Sequence, residues 1–215
     1  MRKILIGLAL ALASGPAWAQ TPQQRDWCFS PTATDDQTID GCTALIGSGR
    51  ETAVNQAAAL DNRAYAYTNK GLDDQAIADE NQSLALNPNS ANTYNNRGMA
   101  YKHKGLYDLA IADFTRSIGL KPDTQSSYGN SGNAFAYDNR GVAYAAKGQY
   151  DQAIADYTTA IALKPDFDSP YQNRGFAYEK KGLRDQAIAA YRAALKINPN
   201  LRMAHEGLTR LGATP

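Results

Sequence analysis

The sequence predicts an all-α fold, a solenoid of stacked helix–turn–helix units. Three observations carry this. First, one phrase is written four times: YNNRGMAYKHKGLYDLAIADFTRSIGLKP from Tyr94, YDNRGVAYAAKGQYDQAIADYTTAIALKP from Tyr137, YQNRGFAYEKKGLRDQAIAAYRAALKINP from Tyr171, and a fainter LDNRAYAYTNKGLDDQAIADENQSLALNP from Leu60. Second, the period is constant. Arg63, Arg97, Arg140 and Arg174 are separated by 34, 43 and 34 residues, and the Gly71 and Pro88 series give the same steps. Third, apolar residues inside each copy recur at three- and four-residue steps, the spacing of one helical face. A repeat of a few tens of residues means stacked units, and stacked units present surfaces more readily than enclosed pockets.

The third copy sets out the unit. Tyr137, Arg140, Gly141, Tyr144 and Ala145 fall on one face of a first helix. Lys147 and Gly148 end it, a cation at the negative end of the dipole and a residue free to turn left-handed just past it. Asp151 opens the second helix near its positive end. Tyr150, Ala153, Ile154, Tyr157, Ala160 and Ile161 form its apolar face, and Pro165 stops it. Lys70, Lys104 and Lys181, and Asp74, Asp108 and Asp185, occupy the same places in the other copies. Ser169-Pro170-Tyr171-Gln172 reads as a serine cap, proline at the first helical position and a glutamine closing a capping box.

Glycine inside a helix costs up to about 1 kcal/mol relative to alanine. Gly98, Gly141 and Gly175 nevertheless share one position, with Ala64 in the fourth copy. Two backbones are therefore expected to approach there, with Tyr67, Tyr101, Tyr144 and Tyr178 and Ala76, Ala110, Ala153 and Ala187 as the large and small partners.

The pattern small–x–x–Tyr, Gly, Ala–x–x–x–aromatic and Pro, at a 34-residue period, resembles the tetratricopeptide repeat, and its NRG core resembles a bacterial subgroup. The resemblance covers residues 57–90, 91–124, 134–167 and 168–201 and implies a right-handed α-solenoid. The first copy departs from it, with Leu60 and Glu80 where aromatics belong. Residues 35–50, with Cys42 in the place of Tyr157, align as a lone second helix capping the stack, preceded by an extension over 20–34. Residues 202–215 suit a terminal cap. The nine extra residues of the long step lie between Pro122 and Arg140, and the turn-rich stretch 125–133 is the expected insert loop.

Residues 1–19 read as a secretory signal: basic Arg2 and Lys3, an apolar run from Ile4 to Ala13, and an A-x-A site cut between Ala19 and Gln20. The chain is then exported, periplasmic or secreted. Cleavage removes two basic residues from a chain of net charge +1 and leaves it near neutral, with no electrostatic reason to seek nucleic acid or a membrane surface. Cys28 and Cys42 are the two cysteines. Export favours a disulfide between them, stabilising by about 2–3 kcal/mol. Two free thiols, or half of a metal site, are the alternatives, although two cysteines with distant His103 and His205 do not present four zinc ligands.

No phosphate loop, nucleophile elbow or metal-ligand helix is present in the sequence, so no enzyme, cofactor or metal is expected. Asp79, Asp113 and Asp156 recur with the repeat and are read as helix-surface residues. The repeated arginines are assigned to inter-repeat hydrogen bonds. Recognition is therefore expected on a surface: a scaffold or adaptor that binds a peptide or protein segment. In the family the first helices line a concave groove, which by resemblance places Tyr65, Met99, Val142 and Phe176 along it. Asp61, Asn95, Asp138 and Gln172 flank these, followed by Thr68-Asn69, Lys102-His103, Ala145-Ala146 and Glu179-Lys180. Asn62, Asn96, Asn139 and Asn173 are kept, but Asp and amides stand where gripping lysines would capture a C-terminal carboxylate. The alternative is a structural solenoid that self-associates through its end repeats.

Overall fold

The computed structural model describes residues 22–120 and 131–215, with side chains in the seventh helix from Asn133 onward. The expected cleavage site and residues 125–130 of the insert lie outside the described residues. Eleven α-helices and no strand are found among the described residues. They are α1 (Pro22–Phe29), α2 (Asp35–Ser48), α3 (Ala53–Asn69), α4 (Asp73–Leu86), α5 (Ala91–His103), α6 (Tyr107–Gly119), α7 (Ser131–Ala146), α8 (Tyr150–Leu163), α9 (Asp168–Lys180), α10 (Arg184–Ile197) and α11 (Arg202–Arg210). Helices α3–α4, α5–α6, α7–α8 and α9–α10 are the four units, each with a first (A) and a second (B) helix.

Each A helix ends the same way. Gly71, Gly105, Gly148 and Gly182 take φ of 72 to 74°, open to glycine and strained for other residues. The next amide donates back across the turn, as Gln149 does to the Tyr144 carbonyl at 2.9 Å, which satisfies a helix-end acceptor. The lysine before each glycine pairs with the first-turn aspartate of the preceding B helix: Lys70 with Asp36, Lys104 with Asp74, Lys147 with Asp108, Lys181 with Asp151. These exposed pairs contribute little energy each, but they keep one register from unit to unit, across the insert as well.

Inside the stack the arginine of each of the first three NR pairs grips an aspartate sixteen residues on. Arg63 holds Asp79, Arg97 holds Asp113 and Arg140 holds Asp156, each through two bonds of 2.7–2.8 Å. The free end of each guanidinium reaches the previous unit, at Thr43, Asn81 and Thr115. The arginines thus tie A to B helix as well as unit to unit. The aspartates are buried at 4–6% exposure, which corrects their reading as surface residues: a bidentate arginine makes their burial tolerable. In the last unit Ala190 replaces the aspartate, and the Arg174 Nε is buried without a partner.

The mid-helix glycines are also explained differently from the sequence expectation. A Cβ on Gly98 would stand 2.7 Å from the Phe114 ring, and one on Gly141 2.6 Å from the Tyr157 ring. Tyr191 fills the same space over Gly175. The large partner therefore comes from the B helix. Tyr101 and Tyr144 instead flank the alanine pairs and sit under Arg97 and Arg140 at 5.8 and 5.9 Å.

Three boundaries differ. The N-terminal stretch is not an extension before a lone helix. α1 packs on α2, and Gly41 admits its backbone, where a Cβ would collide with the Gln24 carbonyl. α1 and α2 thus form a shortened helix pair, with Thr34 and Gln37 closing a capping box on α2. α7 begins at Ser131, so the last three insert residues are helical. Ser169 is inside α9 rather than its cap, because its hydroxyl is drawn to Asp138 at 3.0 Å.

Packing between units is asymmetric. Along α1, α3, α5, α7, α9 and α11 the backbone of each helix approaches that of the next, whereas among the described residues no such approach joins two B helices. Crowding on one side and splaying on the other bends the stack, with the A helices on the inner side.

Candidate functional site

The inner side is built from one stripe per A helix. Tyr65 on α3 is 43% exposed. Met99 on α5, Val142 on α7 and Phe176 on α9 are each partly buried. Met99 and Val142 lean on the cores beside them, and Lys180 sits over the Phe176 ring at 5.2 Å. The stripe is therefore half packing and half surface.

A polar row runs beside it. Three of the four NR asparagines donate backward to the preceding A helix: Asn62 to the Cys28 carbonyl at 2.9 Å, Asn96 to Asp61 at 3.4 Å and Asn173 to Asp138 at 3.0 Å. Asn139 instead accepts from Lys102 at 2.8 Å. Asp138 is buried at 7% exposure and also receives the Ser169 hydroxyl. Burial raises its pKa, opposed by those hydrogen bonds and by Lys102. Burial in turn lowers the Lys102 pKa, with Asp138 opposing.

The remaining expected positions are engaged elsewhere. Asn95 Oδ1 is buried with no partner, and its amide nitrogen lies 3.8 Å from the Met99 sulfur. Gln172 approaches the Met203 sulfur at 3.7 Å. Glu179 accepts from Tyr191 at 2.8 Å and from Arg210 at 2.8 and 3.0 Å, and these bonds hold its pKa down. It locks α11 onto the last unit. His103 pairs with Asp73, and Asn69 with Asp35.

The residue the sequence reading did not place in a site is Glu80. It occupies the Phe114 and Tyr157 position, is fully buried, and neither carboxyl oxygen has a partner. Burial, then the charge of Asp61, pushes its pKa well above the ordinary range. Burial also pushes Asp61 up to about 6, against hydrogen bonds from Thr93 and Asn96. A charged residue in an aromatic slot was the available signal.

Cys28 and Cys42 meet behind this row. Their Sγ atoms are 2.09 Å apart and their Cα atoms 4.6 Å apart, both side chains buried with Leu45 and Ala59.

A curved stack of helix pairs with a continuous inner row of side chains defines a class of protein, the helical-repeat scaffold for protein interaction. Family models described as tetratricopeptide repeat match residues 91–124 and 170–201, and as TPR repeat residues 141–182. A crystal structure of MamA is 30% identical over 77% of this chain and 89% of that one, with a TM-score of 0.64. The chain belongs to the tetratricopeptide repeat family. The TPR domain of Arabidopsis OM64 is 26% identical over 57% of this chain and 94% of that one, with a TM-score of 0.52. PilF of Pseudomonas aeruginosa, at 14% identity over 83% of this chain and 75% of that one, shares the fold with a TM-score of 0.68. None of the curated proteins matches the chain.

Proposed function

We propose that the protein is an adaptor of the cell envelope that binds a peptide or protein segment along the inner side of its A helices. The observation that carries this is the asymmetry of packing: successive A helices approach one another, and among the described residues the backbones of successive B helices do not. The inner side is thus a single surface shared by all units. Tyr65, Met99, Val142 and Phe176 offer it apolar anchors. Asn95, Lys102, Asp138, Gln172 and Glu179 make its polar margins. Export is supported by the A-x-A signal in the sequence and by two buried cysteines at bonding distance, since disulfides persist in oxidising compartments.

A crosslinking pull-down from the envelope fraction tests the reading. Met99→Glu combined with Phe176→Glu is expected to abolish partner capture with the helical circular dichroism signal intact. Undiminished capture contradicts it.

A further inference from the structure

We infer that Asp61 and Glu80 form a receptor for one basic side chain, a lysine or arginine, of the segment bound along the inner side. The inference rests on the groove reading above and adds the chemistry of the bound segment.

Equivalent positions in the first and third units differ in their charge partners. Asp61 in the first unit corresponds to Asp138 in the third. The chain supplies Asp138 with a cation, because Lys102 in the last turn of α5 reaches Asn139 at its side at 2.8 Å and acts on Asp138 by charge. Asp61 has no such cation. The A helix before it is α1, which stops at Phe29 and has no counterpart of that last turn. Arg25 on α1 is paired with Glu51 at 2.7 Å. Arg97, the cation acting on Glu80, is held by Asp113.

The first unit then adds a second acid where the others have an aromatic. Glu80 is fully buried, both its oxygens lack partners, and Asp61 is the charge that acts on it most strongly. A buried carboxyl group left without hydrogen bonds is costly. Asp61 is partly exposed on its A helix, so a ligand meets this carboxylate first, with the fully buried Glu80 behind it. The groups facing Glu80 are Asp61 from α3, Asp79 from its own helix, Arg97 from α5 and Asp113 from α6. Arg97 is committed to Asp113 and Arg63 to Asp79, so the two arginines nearest the pair are both already engaged. An arriving ammonium or guanidinium group supplies the missing charge and favours the ionised pair, so binding releases a proton to solvent.

The test uses the full mature chain and three acetylated nonapeptide amides of Ala, Leu and Ser, with lysine, norleucine or glutamate at the centre. At pH 7 the lysine peptide is expected to bind at least ten-fold tighter than the norleucine peptide, with the glutamate peptide weakest. Calorimetry in buffers of different ionisation enthalpy is expected to report proton release for the lysine peptide alone. Asp61→Asn with Glu80→Gln is expected to bring lysine and norleucine affinities within two-fold, whereas Asp166→Asn with Asp185→Asn, which removes two exposed carboxylates, leaves the preference in place. Equal lysine and norleucine affinities for the native chain, a lysine preference that survives the double substitution, or no binding of any peptide overturns the inference. Equal affinities that are both lost in the Met99→Glu/Phe176→Glu variant overturn the basic-side-chain receptor while leaving the groove standing.

Discussion

The first and third units share a backbone plan and differ in what fills it. In the third, Tyr157 lies on Gly141 and is 1% exposed, and Asp138 has Lys102 beside it. In the first, Ala64 replaces the glycine, Glu80 replaces the aromatic ring, and Asp61 lacks a lysine. Both keep the arginine–aspartate grip and the left-handed glycine turn. The scaffold is therefore held by the grip and the turn, while the packing slot between the two helices is open to chemical change. A slot that serves as core in one unit becomes an acid site in another.

The largest expected effect tests what both units share. Arg140→Ala leaves Asp156 buried without a partner and is expected to cost about 3–5 kcal/mol in urea unfolding. Arg174→Ala, where Ala190 removes the need for pairing, is expected to cost about 1 kcal/mol for its remaining bond to Thr158. Equal losses would mean that the grip is not what holds the units.

The packing slot comes next. Gly141→Ala drives a methyl into the Tyr157 ring and is expected to cost about 1–3 kcal/mol. Ala64→Gly, made where no ring stands, is expected to cost no more than about 1 kcal/mol. The difference is read from thermal unfolding of the two variants.

The smallest effect depends on pH. The folded pKa values of Asp61 and Glu80 are raised. Their contribution is therefore fully present below the unfolded values and is lost as pH rises through the folded ones. For Asp61 the window runs from its ordinary 3.8 to about 6, and for Glu80 it extends further up. Hydrogen exchange in α3 and α4, corrected for intrinsic rates, is expected to show protection falling across this range. Asp61→Asn with Glu80→Gln is expected to flatten it.

Much of this architecture was legible in the sequence, because it depends on local devices. The Lys-Gly turns, the first-turn aspartates and the A and B helices each leave a mark at a fixed spacing. What was misread depends on where side chains end. Periodicity placed Tyr144 and Tyr157 both on inward faces, and only the crossing of the helices decides that Tyr157 covers Gly141. Asp156 looked like a solvated residue because its partner, Arg140, is sixteen positions away. Ser169 looked like a cap because its other attraction, Asp138, is on the previous A helix. α1 has eight residues and no trace of the repeated phrase, so only its contacts in the fold, the close approach to Gly41 above all, reveal it as half of a pair. The inner-face positions were reached through family resemblance, and Glu80 was visible only as a departure from it.

The most direct test of the central claim is a comparison of the two sides of the stack. A photo-crosslinking amino acid is placed at Tyr65 on the inner side, or at Leu109 on the B helix α6, residues of similar exposure at 43% and 49%. Each protein is then irradiated in cells that make it. The account predicts a discrete adduct with another protein from position 65 and none from position 109. An adduct from position 109 with none from position 65 would contradict it.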